Sequence, residues 1–336
     1  MSSSSSLAEF LEKNIPGPER THLRTSVIPT LLTSVAKVGQ CLRSSLSIQT
    51  AGFTNTSGDS QLNVDLTTNE IVHAAVSTCP SIVSASSEED EGENPVKHSV
   101  KSSVESGETY SVAFDPLDGS SIIPANWSVG TIIGIWDGSS ALNQPACSKQ
   151  VAAILGVLGP RTTAIVAVRL PESTSPPLCF EVGLSDSASD TDIGIVVSRE
   201  RVQFGDAATV KTRYFAPANL RAAAQDPAYK KVIDYFIEKE YTLRYSGGLV
   251  PDVYHAFVKG HGVYVSPVTV KSKAKLRVLY EVAPIALIVE CAGGKAADPV
   301  NGKDILEKSV IDVDDRSGLL CGTREEVELV MKMLSE

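Results

Sequence analysis

Two carboxylates three positions apart, then a glycine and two hydroxyls, give Asp115-Pro116-Leu117-Asp118-Gly119-Ser120-Ser121 its chemical potential. An apolar, β-prone run from Tyr110 to Phe114 delivers this stretch. Pro116 has no N–H, so strand pairing is expected to stop there and the chain to turn outward. That turn aims Asp115, Asp118 and the Leu117 carbonyl at one point, an all-oxygen set suited to Mg²⁺ or Mn²⁺. Gly119 is free to take a positive φ. Ser120 and Ser121 are good N-cap residues, so a short helix is expected to start here with N–H groups facing outward. N–H groups beside a divalent cation make a phosphate seat. Solvated turns and calcium loops use the same Asp-x-x-Asp-Gly letters. The continuation Ile122-Ile123-Pro124, however, lacks the later ligands of an EF-hand loop.

A second acid group leaves an apolar segment in the same way. Ile82-Val83-Ser84-Ala85 reads as a strand and runs into Ser86-Ser87-Glu88-Glu89. Asp90, Glu91 and Glu93 continue the run and read as a solvated face. Two strand ends bearing paired acids point to a polynuclear metal site, to which Glu281, at a strand-to-helix junction, can add a ligand. Asp59 and Asp65 flank Leu62 and Val64, and Asp65 alone reads equally well as part of a helix start. In the second half, Arg244-Tyr245-Ser246-Gly247-Gly248 combines a planar phosphate fork with glycines that let backbone approach a ligand. Lys271, Lys273, Lys275 and Arg277 alternate, so in an extended segment they share one side.

These groups need elements to hold them. Leu31 to Leu42 has helical apolar spacing, and Thr68 to Val76 reads as a helix capped by Thr67 or Thr68. Val129 to Trp136 reads as a strand, and Gln150 to Leu158 with Thr162 to Val168 as a hairpin or successive sheet strands about a turn at Gly159-Pro160. Asp226 to Lys239 is an amphipathic helix after Pro227, Gly262 to Ser266 a strand, and Pro284 to Ala292 a helix closed by Gly293-Gly294. Composition shifts near residue 210, where a soft domain boundary is placed.

The net charge of −10 repels nucleic acid and anionic membranes, so an anionic substrate needs the local basic strand. No apolar run reaches the roughly 18–20 residues of a membrane span. Residues 1–12 carry no signal-peptide pattern, which points to the cytoplasm, or to a plastid or other organelle if a targeting segment is missing from this chain. Six cysteines lie far apart without a C-x-x-C pair, as expected of buried thiols in a reducing compartment.

Taken together, Ser87-Glu88-Glu89 and Asp115 to Ser121 resemble the lithium-sensitive, Mg²⁺-dependent sugar and inositol phosphatases. Within that superfamily the chain is similar to fructose-1,6-bisphosphatases and, more closely, to the sedoheptulose-1,7-bisphosphatase branch. Segments spread over residues 25–330 carry the likeness, among them Gly58-Asp59 through Asp65, Gly159-Pro160-Arg161-Thr162-Thr163, Tyr241 to Tyr245 and Lys273 to Arg277. The resemblance implies an α+β / α/β fold, a five-layer αβαβα sandwich. It would comprise a flexible segment 1–24, a metal-binding half 25–210 and a sugar-phosphate-binding half 211–336.

It further implies that Glu88, Glu89, Asp115, Asp118, Glu281 and the Leu117 carbonyl hold Mg²⁺ or Mn²⁺. Asp65, with Glu89, would orient or deprotonate the attacking water, and Asp59 would sit in a closing loop. Gly119, Ser120 and Ser121 would take the scissile phosphate. Asn219, Arg244, Tyr245, Gly247, Gly248 and Lys275 would take the sugar and distal phosphate. Arg244 would serve a neighbouring subunit, which implies a homodimer or homotetramer. The expected activity is removal of the 1-phosphate of sedoheptulose 1,7-bisphosphate in carbohydrate metabolism. Fructose 1,6-bisphosphate is the alternative substrate, and a silent sugar-phosphate sensor the rival from another class. Ile122 and Pro124 replace the Asn and Asp usual in fructose bisphosphatases and favour the sedoheptulose branch. Asp137 and Thr109 stand where AMP-inhibited relatives carry basic residues, so AMP control is not expected. Ala51 to Ser57 lacks the cysteine pair of the chloroplast enzymes, so thioredoxin activation through it is not expected either.

Overall fold

Several strands of the chain are buried along their entire length, Tyr110–Asp118 and Gln150–Leu158 among them. Side chains of both parities must then be covered, which requires helices on both faces of the sheet. A computed structural model shows how; it describes residues 6–54, 60–99, 107–171, 173–185, 193–206 and 208–336.

The first half begins with α1 (Leu7–Asn14), α2 (Ile28–Ser44), a ribbon of β1 (Thr50–Thr54) and β2 (Ser60–Leu62), and α3 (Asn63–Ser77). Next come β3 (Ile82–Ser87), β4 (Glu93–Pro95), β5 (Tyr110–Asp118), β6 (Val129–Asp137), a single turn α4 (Ala146–Lys149), β7 (Gln150–Leu158), β8 (Thr162–Val168), β9 (Leu178–Leu184) and β10 (Ile195–Arg199). The second half has β11 (Tyr214–Pro217), α5 (Pro227–Glu238), β12 (Thr242–Leu243), α6 (Leu249–Lys259), β13 (Val263–Ser266) and β14 (Leu276–Arg277). It ends with α7 (Ala283–Cys291), β15 (Lys295–Ala297), β16 (Arg316–Ser317), β17 (Leu319–Gly322) and α8 (Arg324–Ser335).

Eight strands form one sheet in the order β10-β9-β8-β7-β6-β5-β3-β4, and five form another in the order β12-β11-β13-β17-β15. The apolar clusters define the layers. Val112, Phe114 and Ile133 pack on α1, α2 and α3, whereas Ala113, Ile132 and Leu155 point the other way onto α6 and α7. Tyr264 and Cys321 of the smaller sheet meet that same helical layer. Its outer face, with Phe215 and Val265, is covered by α5 and α8. The stack is therefore helix, sheet, helix, sheet, helix, the five-layer arrangement expected. Residue 210 falls in the irregular link between β10 and β11, and the middle core takes side chains from both sides of it.

Some expectations need correction. Residues 7–14, assigned to a flexible lead, form a helix with a Ser6–Glu9 capping box. Burying Leu7, Phe10 and Leu11 is what orders it, and Phe10 meets Phe180 at 4.8 Å between ring centres. Further along, Arg20 holds Asp137 through two hydrogen bonds of 2.5 and 2.8 Å. α3 starts at Asn63, ahead of the Thr67–Thr68 cap, because Asp65 in its first turn accepts the Leu62 N–H at 2.7 Å. β5 runs on through Pro116, where pairing was expected to stop. The register to β6 shifts between Asp115 (opposite Ile132) and Asp118 (opposite Gly130), so the strand bulges there. On its other side β3 pairs no further than Phe114, so no partner there needs the missing N–H.

Candidate active site

The bulge at Pro116 is what lets two acids on one strand serve one point. Asp115, Asp118 and Glu281 each bring an oxygen to a common place, all within 4.8 Å of one another. Only 4–7% of each residue is exposed. Glu281 arrives on a π-helical turn, Val278–Val282, inserted between β14 and α7. Burial pushes Asp115 and Glu281 well above the usual carboxylate range, and the charge of Glu88 adds to it. Burial likewise pushes Asp118 up to about 7, even though Val250 donates its N–H to Oδ2 at 2.7 Å.

Glu88 and Glu89 leave the end of β3 beside this group. Glu88 is tied to β5 by its own N–H to the Phe114 carbonyl, 3.1 Å. Its carboxylate pairs with the buried Arg277 guanidinium. Arg277 also donates its backbone N–H to Glu281 at 2.6 Å. Glu89 accepts a hydrogen bond from the Gln61 amide. Burial pushes Glu89 up to about 7 and Asp65 to about 6. Asp65 Oδ1 is buried without a partner while its Oδ2 holds the start of α3. Asp115, Asp118 and Glu281, with Glu88, Glu89 and Asp65 beside them and Arg277 paired to Glu88, suit a divalent ion well.

The glycine turn expected to seat a phosphate follows directly. Gly119 adopts φ 90° and caps a short 3₁₀ turn, Ser120–Ala125. Ser120 and Ser121 lie inside that turn, so neither is the N-cap the sequence suggested. The first bond of the turn, Ile122 N–H to Gly119 O at 3.0 Å, leaves the Ser120 and Ser121 N–H groups ahead of it. A Cβ on Gly119 would lie 3.5 Å from Gly248 Cα, which brings the two glycine loops together. Gly130 has a packing role, since a Cβ there would overlap Val250 at 2.3 Å. Loop 246–248 is pinned by Asp252, whose carboxylate accepts from Ser246 N–H (2.6 Å), Ser246 Oγ (2.8 Å) and Gly247 N–H (3.1 Å). The Asn219 backbone hydrogen-bonds Tyr245.

Not every predicted residue joins this group. Asp59 lies outside the described residues. Arg244 is exposed, 5.5 Å above the Tyr214 ring, with its guanidinium on the Leu243 carbonyl. Lys275 is exposed and gives its carbonyl to Arg316. Residues 271–275 form no strand, so the expected shared face does not arise, and Arg277, in β14, turns its side chain in to Glu88.

The N-terminal domain of fructose-1,6-bisphosphatase matches residues 23–172 and its C-terminal domain residues 209–335. The chloroplastic sedoheptulose-1,7-bisphosphatase of Triticum aestivum is 35% identical over 322 residues, covering 96% of this chain and 75% of that protein. The chain belongs to the fructose-1,6-bisphosphatase family. A Toxoplasma gondii structure assigned as a sedoheptulose-1,7-bisphosphatase superposes with a TM-score of 0.83 at 31% identity, covering 98% of both chains. Leishmania major fructose-1,6-bisphosphatase in its holo form gives 0.80 at 28% identity, over 99% of this chain and 100% of that one. As a member of this metal-dependent family the chain is a phosphoric monoester hydrolase, and its acid cluster is one that can hold a metal. No helix among the described residues is long and apolar enough to cross a membrane.

Within this family frame, three residues were missed from sequence, and a fourth, Arg277, was placed on the basic segment instead. Gln61, two positions after Asp59, orients Glu89. Arg277 lies four positions before Glu281, a spacing that puts both beside Glu88. Asp252 holds loop 246–248 from the first turn of α6. Tyr264, buried on β13, feels the charges of Asp252, Tyr245 and Asp118, and nothing in its sequence neighbourhood signalled that.

Proposed function

We propose that this chain hydrolyses the 1-phosphate of sedoheptulose 1,7-bisphosphate, giving sedoheptulose 7-phosphate and phosphate. The observation that carries hydrolysis is the meeting of Asp115, Asp118 and Glu281 at one point beside Gly119. In this reading Glu88, Glu89 and the Leu117 carbonyl complete the ligand set for Mg²⁺, with Mn²⁺ as substitute. Such ions, when bound, neutralise charge on the phosphoryl oxygens and make coordinated water more acidic.

The chain's own residues do the positioning. Asp65, whose Oδ1 has no partner, orients the attacking water and receives its proton, with Glu89 alongside. A carboxyl raised to about 6 remains mostly ionised at pH 7 yet is a better base than an exposed aspartate. Gly119, Ser120 and Ser121 bind the phosphate that leaves. Asn219, Tyr245, Gly247 and Gly248 hold the sugar, and Lys275 binds the distal phosphate. Arg244, exposed at the edge strand β12 beside exposed Leu243 and Tyr245, serves a second copy, which makes the working unit a homodimer or homotetramer.

Preference for the seven-carbon sugar is supported by the Triticum relative and by Ile122, whose side chain lies about Gly247 and Gly248 where a polar Asn is expected in fructose enzymes. A steady-state comparison of the two bisphosphates tests it. Higher kcat/KM on sedoheptulose 1,7-bisphosphate is expected, and equal or better turnover of fructose 1,6-bisphosphate transfers the assignment. Phosphate binding without release from either substrate would leave only a sensor.

A further inference from the structure

The side of α3 that carries Asp65 carries two more polar side chains. Asn69 and His73 follow Asp65 at four-residue steps, so all three line one face of the helix. Asn69 and His73 meet the turn where β3 ends, Ser87 to Asp90, on which Glu88 and Glu89 sit. Asp90, read from the sequence as part of a solvated face, has a side chain only 33% exposed. Its Oδ1 accepts from Asn69 Nδ2 at 2.9 Å, and its Oδ2 lies 2.5 Å from His73 Nε2.

Asn69 is used twice, since its Oδ1 accepts from the Ser87 hydroxyl at 2.7 Å. The hydroxyl on one side and the Asp90 carboxylate on the other fix the orientation of the Asn69 amide. Ser87, itself buried, takes the Glu89 N–H on its Oγ at 3.2 Å and the Asp90 N–H on its carbonyl at 3.2 Å. His73 also sets its ring edge-on to Phe114, 5.1 Å between centres, and Phe114 directly precedes Asp115. None of these bonds uses the Glu88 or Glu89 carboxylate. A turn at a strand end has backbone freedom to lose, and bonds to a rigid helix remove it in advance.

We propose that Asn69 and His73 are positioning residues for the hydrolysis, clamping the Ser87 to Asp90 turn onto α3 and so fixing where Asp65 stands relative to Glu88 and Glu89. This rests on the roles proposed above for those three acids. The clamp itself touches neither substrate nor ion, and acts only through the backbone that carries them.

Titration calorimetry of the full chain with Mn²⁺ alone, and steady-state kinetics on the sugar bisphosphate, test it together. His73→Phe keeps a ring against Phe114 and removes the bond to Asp90, at a side chain 37% exposed where folding is not at risk. It should weaken Mn²⁺ binding about 10-fold and lower kcat about 10-fold, with KM changed by less than about twofold. Asn69→Ala breaks both of its bonds and should lose more, toward about 100-fold. His73→Gln, whose amide can donate to Asp90, should recover most of the loss. At saturating Mn²⁺, His73→Phe and Asp65→Asn should be less than additive in kcat, because both disturb one arrangement. A general loss of stability would instead lower kcat by the same factor in either background. Full activity in Asp65→Asn alone would overturn the role of that acid, and the proposal with it. The clamp by itself is overturned if His73→Phe and Asn69→Ala both match wild type in Mn²⁺ affinity and kcat, if His73→Gln restores nothing, or if the two kcat losses simply add.

Discussion

Two of the regions that bury acids treat them in opposite ways. Glu326, at the start of α8, is 3% exposed, and Tyr241 hydroxyl donates to its carboxylate at 2.7 and 2.8 Å. His261 Nε2 lies 3.2 Å away and Arg213 3.6 Å. Burial alone would push Glu326 up, yet these bonds outweigh it and hold the carboxyl below its ordinary value. Asp115, Asp118 and Glu281 are equally buried, but they face one another and Glu88, and all three are raised. Burial of a carboxylate is therefore no sign of function. What separates Glu326 from the three-acid group is whether the fold supplies the counter-charge, as His261 and Arg213 do for Glu326.

The sharpest way to break this contrast is to neutralise one acid in each region. Asp115→Asn should lower kcat/KM by about 1000-fold, since a ligand to the phosphate-polarising ions is lost. In chelator the same variant should be no less stable than wild type, because a self-repelling charge has gone. A clear loss of chelator-state stability would mean that the cluster is satisfied internally. Glu326→Ala should do the reverse, costing about 3 kcal/mol in denaturant titration by stranding His261 and Tyr241. Its kcat should stay near wild type.

Adding divalent ion sharpens the contrast further. Mg²⁺ at 100 times its Kd should stabilise the wild type by about 2.7 kcal/mol and leave Asp115→Asn nearly unmoved. Equal stabilisation of both proteins would place the ion elsewhere. The smallest effect is on pH. A carboxyl whose folded pKa is raised contributes stability below its unfolded value and loses it as pH rises through the folded one. With Asp118 near 7, its share of the chelated protein's stability, roughly 1 kcal/mol, should be lost between pH 6 and pH 8, and Asp118→Asn should make the slope shallower by that amount. Glu326, being lowered, contributes in the opposite sense, and its share is lost only as the protein is acidified through its depressed value.

Much of the architecture was readable because the relevant signals are local. Apolar runs bounded by Gly159-Pro160 give the β7–β8 hairpin, and Asp226 before Pro227 caps α5 as its residue types require. The acids of the site were readable too, since each leaves an apolar segment at a strand end. What escaped depends on distant partners. Pro116 looked like a strand terminator, but whether a strand continues there is decided by β3 having already ended. Lys271 to Arg277 looked like one face, but Arg277 follows Glu88, 189 positions away. α1 was placed in a flexible segment, and only Phe180 and the rest of the sheet's outer core show why it folds.

Asp118 reaches in two directions at once. One oxygen takes the Val250 N–H from the first turn of α6, directly after the glycine loop, while the carboxyl also contributes to the three-acid point. Whatever tightens either end is transmitted through a single rigid side chain, so ion and sugar occupancy should be thermodynamically linked. Linkage of that kind is reciprocal. Titrating sugar phosphate at two magnesium levels, and magnesium at two sugar levels, should displace both isotherms by the same factor.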